Sequence, residues 1–239
     1  MTIDPMIALG VLVNSHPELA RELERRGLDY CCGGKQTLTD ACTSKGIDLT
    51  LTVSELAAAL TEEVVTKEVA TEWSTMEAAE LVGHLESTHH RYLWEELPRL
   101  SALVTKIVSA HGERHPELSA IAACYEELCA DMQPHLLKEE QILFPMIREL
   151  AVAQSAPSFH CGTLQNPISM MLREHDAVGK LLAQLRQLTD GFQVPTDGCP
   201  SYKACFAGLA ELEEDTHLHI HKENNLLFPM VVRMEALKV

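Results

Sequence analysis

Histidine and glutamate recur four residues apart in two copies of one phrase. The segment HLLKEEQILFPM at 135–146 returns as HIHKENNLLFPM at 219–230, with His, Lys, Glu, Leu, Phe, Pro and Met at the same offsets. On an α-helix, residues four apart share a face and lie about 6 Å apart along the axis. Each copy therefore aims an imidazole and a carboxylate in one direction: His135 with Glu139, and His219 with Glu223. Two such helices face to face offer two nitrogen and two oxygen ligands to a shared point, which is how a metal site is built inside a helix bundle. A single His-x-x-x-Glu pair would say little, because ion pairs at that spacing stabilise ordinary helices. Repetition implies duplicated geometry. The shared Leu-Phe-Pro-Met reads as core packing beneath the site.

Further ligands must come from other helices. Glu174-His175-Asp176 sits in an apolar frame of Ile168, Met171, Leu172, Val178, Leu181 and Leu182. His175 shares a face with Met171 and Val178, so it points inward. Upstream lie His84, His89 and His90. His90 shares a face with Leu93, Trp94 and Leu97, whereas His89 is turned about 100° away. The candidate set is His90, His135, Glu139, His175, His219 and Glu223. Four imidazoles and two carboxylates suit two metal ions with the carboxylates bridging. The set has no thiolate, which weighs against structural zinc. Nitrogen and oxygen ligands with open positions suit iron, with manganese as the alternative, and would bind or activate O₂ or NO. A competing pattern, Glu86-x-x-His89 with Glu214-x-x-His217, has the spacing of ferritin-like di-metal proteins. His217 and His221 form another pair four apart. Their flanks are polar and unrepeated, so they read as solvated helix faces.

A second feature is Asp29-Tyr30-Cys31-Cys32-Gly33-Gly34-Lys35. Two glycines imply a flexible, open backbone. Lys35 and a following helix N-terminus would lower the thiol pKa and favour thiolate. The pair could then bind or pass soft metal, or be oxidised. A tight turn with two small apolar residues fits equally well, and the residues alone leave both readings open. Cys124, Cys129, Cys161 and Cys205 lie in or beside apolar surroundings and read as packing.

These residues need helices to position them. Strand signals are nearly absent, and helical spacing dominates. Long helices are predicted at 76–110, 116–151, 167–189 and 201–236, separated by loops at 153–166 and 195–200. Pro98 predicts a bend or split in the first. Pro145 and Pro229 predict a kink or early end late in the second and fourth. Four long helices with short or moderate connections predict an up-down bundle. Before it, short helices are predicted at 5–13 and 17–26, the latter closed by Gly27. Another is capped by Thr39 or Asp40 and ends near Gly46, and a longer one starts at Thr52 or Ser54. The fold class is all-α. A small helical domain over 1–72 and a linker around 70–75 precede a bundle over 76–239.

Composition narrows the function classes. The 239 residues are 46% hydrophobic, enough for a real core. A net charge of −16 argues against nucleic acid or an anionic membrane as a main partner. The apolar run 6–13 is too short to span a bilayer, and no basic targeting region precedes it. Eight cysteines without an export signal predict reduced thiols in a cytoplasmic protein.

Both motifs together resemble the repair-of-iron-centres family of di-iron proteins, over nearly the whole chain. The run from Tyr30 through Cys31, Cys32, Gly33, Gly34, Lys35, Gln36, Thr37 and Leu38, with Ala41-Cys42, is similar to the family's N-terminal domain. The two His-x-x-x-Glu phrases are similar to its haemerythrin-like domain. The resemblance implies a haemerythrin-like four-helix bundle holding two non-haem iron ions with an oxo or hydroxo bridge. Its ligands map onto His90, His135, Glu139, His175, His219 and Glu223. Its paired cysteines map onto Cys31 and Cys32, as candidates for iron transfer or redox chemistry. One departure is His89, where the family usually has an aromatic before the first ligand. The implied role is repair of iron–sulfur clusters damaged by oxidative or nitrosative stress, with NO or O₂ as small ligand and damaged iron–sulfur proteins as partners. Two rivals use the same ligands: cytoplasmic NO or O₂ buffering, and catalytic reduction of NO to N₂O. The N-terminal domain offers a contact for a homodimer, although no residue pattern demands one.

Overall fold

Apolar residues at three- and four-residue spacing make nearly every element of this chain a helix. The computed structural model describes residues 3–62 and 73–238. No strand occurs among them; there are two isolated bridging pairs, Ala8 with Thr37 and Phe159 with Gly162. The N-terminal part comprises α1 (Leu9–Ser15), α2 (Ala20–Arg25), α3 (Leu38–Lys45) and α4 (Leu49–Glu62). The caps fall earlier than predicted. Thr37 caps α3 by accepting the Asp40 N–H at 3.1 Å, while the Thr39 hydroxyl donates to the Pro5 carbonyl. Asp48 caps α4 by accepting the Leu51 N–H at 2.9 Å. Both are ordinary N-cap contacts. The predicted linker lies mostly outside the described residues, which resume in a short 3₁₀ turn at Trp73–Thr75.

The bundle helices are long but not uniform. The first joins α5 (Ala78–Leu85) to α6 (Arg91–His111) through a π turn at Glu86–His90. The second joins α7 (Glu117–Lys138) to α8 (Phe144–Val152) through a π turn at Glu139–Leu143. The third, α9 (Gln165–Leu188), is continuous. The fourth joins α10 (Pro200–Lys222) to α11 (Phe228–Ala236) through a π turn at Glu223–Leu227. Pro98 lies inside α6 without splitting it.

Pro145 and Pro229 do not end their helices. A proline has no N–H to donate, and its ring collides with the carbonyl four residues back. Widening the turn just before each proline relieves both problems. The Phe144 N–H reaches the Glu139 carbonyl and the Phe228 N–H reaches the Glu223 carbonyl, each five residues back.

The bundle core is layered along its axis. One apolar layer includes Leu93, Leu97, Leu128, Leu136, Leu182 and Ile220, and extends into the N-terminal helices through Leu9, Leu12 and Leu38. The other includes Leu81, Leu85, Phe144, Ile168, Met171 and Phe228. Along every bundle helix the candidate ligands fall where one layer gives way to the other. Because the helices run up and down, this sequence position becomes one polar slab between two dry ones. No helix among the described residues is long and apolar enough to cross a membrane.

Candidate metal centre

Each helix that carries a candidate ligand, except α9, changes from α to π at the slab. His90 closes the first π turn, while Glu139 and Glu223 open the other two, one turn after His135 and His219. The structure brings all six predicted residues together in two quartets. His90, Glu139, His219 and Glu223 form one; His135, Glu139, His175 and Glu223 form the other, with ligand atoms within 4.8 Å of one another in each. Both carboxylates belong to both groups. Glu223 places Oε1 3.2 Å from His219 Nε2 and Oε2 3.1 Å from His175 Nε2. Glu139 Oε2 lies 3.5 Å from His90 Nε2 and 3.3 Å from His135 Nε2.

A shell of polar side chains orients the rings. His90 Nδ1 lies 3.0 Å from Glu140 Oε1, which also accepts the Trp94 indole N–H at 2.8 Å. His135 Nδ1 lies 3.0 Å from Glu174 Oε2, and Lys138 pairs with the other oxygen of Glu174. His175 Nδ1 lies 2.7 Å from Asn224 Oδ1. Donation from Nδ1 leaves the lone pair of a neutral ring on Nε2, facing the slab. The repeated phenylalanines contribute directly as well as through the core. Phe144 lies 5.2 Å from the His90 ring, and Phe228 stacks on His175 at 5.9 Å.

The donor atoms fit a cation. Glu139 and Glu223 are wholly buried, and among the described residues neither oxygen of either has a well-directed hydrogen-bond partner; His90 Nε2 and His219 Nε2 also lack one there. Buried ions without partners are costly. His135 Nε2 and His175 Nε2 lie 3.2 Å apart, so two lone pairs meet unless a proton or a metal stands between them. Burial disfavours the His135 imidazolium, but Glu139 and Glu174 outweigh it and raise its pKa to about 10. Burial likewise opposes ionisation of Glu223, yet His219 and His175 hold its carboxyl well below the usual range. Cations are therefore favoured where a metal would go.

The competing histidines stand elsewhere, and two of them are not solvated. His89 is buried, with Nδ1 2.8 Å from Asp215 and Nε2 2.7 Å from Lys222 Nζ. The π turn brings it inward by shifting the helical register that would have turned it out. His221 is also buried, 2.8 Å from Asn14 Oδ1 and 3.3 Å from the Tyr30 carbonyl. His217 is half-buried against Glu24 at 3.2 Å. The carboxylates of that pattern face away: Glu86 pairs with Arg148 and Glu214 with Arg21.

The cysteine turn docks beside the slab. Asn225 donates its amide to the carbonyls of Tyr30 at 3.3 Å and Cys31 at 3.0 Å, and Asn224 donates to the Cys31 carbonyl at 3.4 Å. The turn is not open. A Cβ on Gly34 would lie 2.3 Å from Asn225 Oδ1, so glycine there serves close approach. Cys31 is buried, and its pKa is raised well above the ordinary thiol value by the Cys32 thiol, burial and Asp29. All three effects oppose the thiolate, so the expected activation is not found at Cys31. The Sγ atoms of Cys31 and Cys32 are 3.9 Å apart, and Asp29 Oδ1 lies 3.2 Å from the Cys31 sulfur. Two clefts, of 580 and 550 Å³, meet at this pair. The first reaches Asn224 and Phe228, the side chains that touch His175.

Residues 82–231 match the haemerythrin HHE cation binding domain. Residues 7–60 match ScdA_N, described as a domain of unknown function (DUF542). The iron-sulfur cluster repair protein YtfE of Enterobacter sp. (strain 638) is 36% identical over 227 residues, covering 95% of this chain and 97% of the relative. Proteins of the same name from Yersinia pseudotuberculosis serotype IB and Escherichia coli O81 are each 34% identical over 95% of this chain and 97% of the relative. The chain belongs to the YtfE family. Within this family member, sequence reasoning missed Glu140, Glu174, Asn224 and Lys222. A signal existed for all four: each directly adjoins a candidate ligand in the chain. Adjacency alone does not say which neighbour folds back onto a ring.

Proposed function

We propose that this chain is a di-iron protein that helps repair iron–sulfur clusters damaged by oxidative or nitrosative stress, by donating iron, by reacting with NO, or by both. The two quartets sharing Glu139 and Glu223 carry the reading. A set of imidazole and carboxylate donors without thiolate suits iron. Two non-haem irons held there with an oxo or hydroxo bridge would supply redox chemistry and affinity for NO or O₂.

The chain's own residues supply the rest. His90, His135, His175 and His219 present nitrogen lone pairs from four different helices. Glu139 and Glu223 belong to both quartets, so each carboxylate would serve both metal positions. Apolar layers on both sides keep bulk water from the slab. Cys31 and Cys32 stand where two clefts meet and are the candidates for iron hand-over or redox chemistry. Asn224 spans the His175 ring and the Cys31 carbonyl, which puts the cysteine turn one side chain from the centre. The names of the relatives support damaged iron–sulfur proteins as partners, and eight free cysteines support a cytoplasmic location. We treat 1–72 and 76–239 as two units of one functional chain.

Reactivation of a damaged iron–sulfur dehydratase tests the reading. The iron-loaded protein should restore more activity than the same amount of free ferrous iron; equal recovery would overturn it. Capture of NO or O₂ is the second reading, favoured by the 580 Å³ cleft that reaches the neighbours of His175. It requires stoichiometric uptake that survives loss of both cysteines. Multiple-turnover N₂O formation would separate catalysis from capture.

A further inference from the structure

The two metal positions are not backed alike. Behind the position of His135 and His175, both rings have an acceptor at Nδ1: Glu174 at 3.0 Å and Asn224 at 2.7 Å. Behind the other position only His90 has one, Glu140 at 3.0 Å. His219 Nδ1 is buried and has no hydrogen-bond partner among the described residues.

The reason is visible one helical turn earlier. Asp215 precedes His219 by four residues, on the same face of α10. Its Oδ1 is held by His89 at 2.8 Å, and its Oδ2 is buried with no hydrogen-bond partner among the described residues. His89 is clamped from its other side by Lys222 Nζ at 2.7 Å. Lys222 also reaches His84 Nε2 at 2.9 Å and lies 5.1 Å from the centre of the Trp73 ring. Locked at both nitrogens, the His89 ring stacks on His219, 8° from parallel and 5.6 Å between centroids. An apolar stacking face therefore stands beside His219 while the nearby carboxylate is engaged elsewhere.

An acceptor behind an imidazole fixes its ring and raises its basicity, and losing one typically weakens metal binding by about 10–100-fold. We infer that the position formed by His90 and His219 holds iron more weakly than that formed by His135 and His175, and is the one from which iron leaves. The inference rests on the di-iron reading above and adds which ion is the cargo. Asp215, His89 and Lys222 are positioning residues in this scheme; they act through the His219 ring.

Iron release without oxygen tests it. Full-length protein saturated with ferrous iron is mixed with excess ferrozine, and the coloured complex is followed. Two phases of equal amplitude are expected, their rates about 10–100-fold apart. Asn224→Leu removes the acceptor behind His175 and should speed the slow phase alone. Glu140→Leu removes the acceptor behind His90 and should speed the fast phase alone. Circular dichroism checks that both variants remain helical, and the phase-specific response separates positioning from general loosening. A single phase in the wild type, or the two variants acting on the opposite phases, overturns the inference. Equilibrium dialysis distinguishes the deeper failure: saturation below two irons per chain overturns the di-iron reading as well.

Discussion

Glu139 and Glu223 each open a π turn, and each belongs to both ligand quartets. Neither quartet has a carboxylate of its own. Glu139→Ala or Glu223→Ala should therefore cut bound iron to less than one per chain, because it removes an oxygen donor from both positions. Metal analysis after dialysis checks this, together with the rise in melting temperature that binding to the native state alone produces. Retention of two tightly bound irons by either variant would be incompatible with shared carboxylates.

Docking of the N-terminal helices depends on a close approach to Asn225. Cβ atoms on Gly10 and Gly34 would fall 2.6 and 2.3 Å from Asn225 Oδ1. Gly34→Ala should cost about 1–3 kcal/mol, the usual penalty for forcing atoms into a packed contact. Urea unfolding measures the loss. Hydrogen exchange should place it at the Cys31–Cys32 turn, with the protection of α7 and α9 unchanged.

The thiol pKa values point to Cys199 as the most reactive cysteine at neutral pH. It stands at the N-terminal boundary of α10, where His111 first, and then the backbone N–H groups of Tyr202 and Ser201, favour the thiolate and lower its pKa to about 7. The Arg114 guanidinium reaches His111 Nδ1 at 3.2 Å and leaves Nε2 as the donor. Because the pKa is depressed, thiolate grows as pH rises through about 7 and its alkylation rate levels off above that. His111→Leu should move the midpoint upward, toward the ordinary thiol value of about 8.5. Iodoacetamide labelling with peptide mapping reads both curves.

Cys31 should behave oppositely. Its pKa is raised by the Cys32 thiol, by burial and by Asp29, so it should label far more slowly than Cys199 at pH 7. Asp29→Asn removes a nearby negative charge and should speed its labelling. An unchanged rate would mean that Asp29 does not govern this sulfur.

Much of the architecture was legible because helical periodicity is local. Spacing placed the four bundle helices within about two residues of where they lie, and the duplicated phrase marked two inward faces without any knowledge of the partner helix. The assignment of His90 over His89 rested on an unbroken helix. It names the residue that reaches the quartet, but the same logic put His89 in solvent. The π turn at Glu86–His90 buries both, and nothing in the local pattern announces it. The prolines at 145 and 229 were visible, yet their effect depended on whether the helix ended or widened, and packing of Phe144 and Phe228 against ligand rings favours continuation.

The sequence by itself determined the helices, the repeat and the six residues with the right chemistry, because each of these is set by spacing along one chain segment. Only the tertiary structure decided that those six converge as two quartets with shared carboxylates. It alone decided that Glu140, Glu174 and Asn224 back three rings while His219 is left to His89, and that the glycines beside the cysteines serve contact. Those relations join segments up to about two hundred residues apart, as in the bond between His221 and Asn14. Their energies arise when water is excluded between surfaces that meet only after the helices pack.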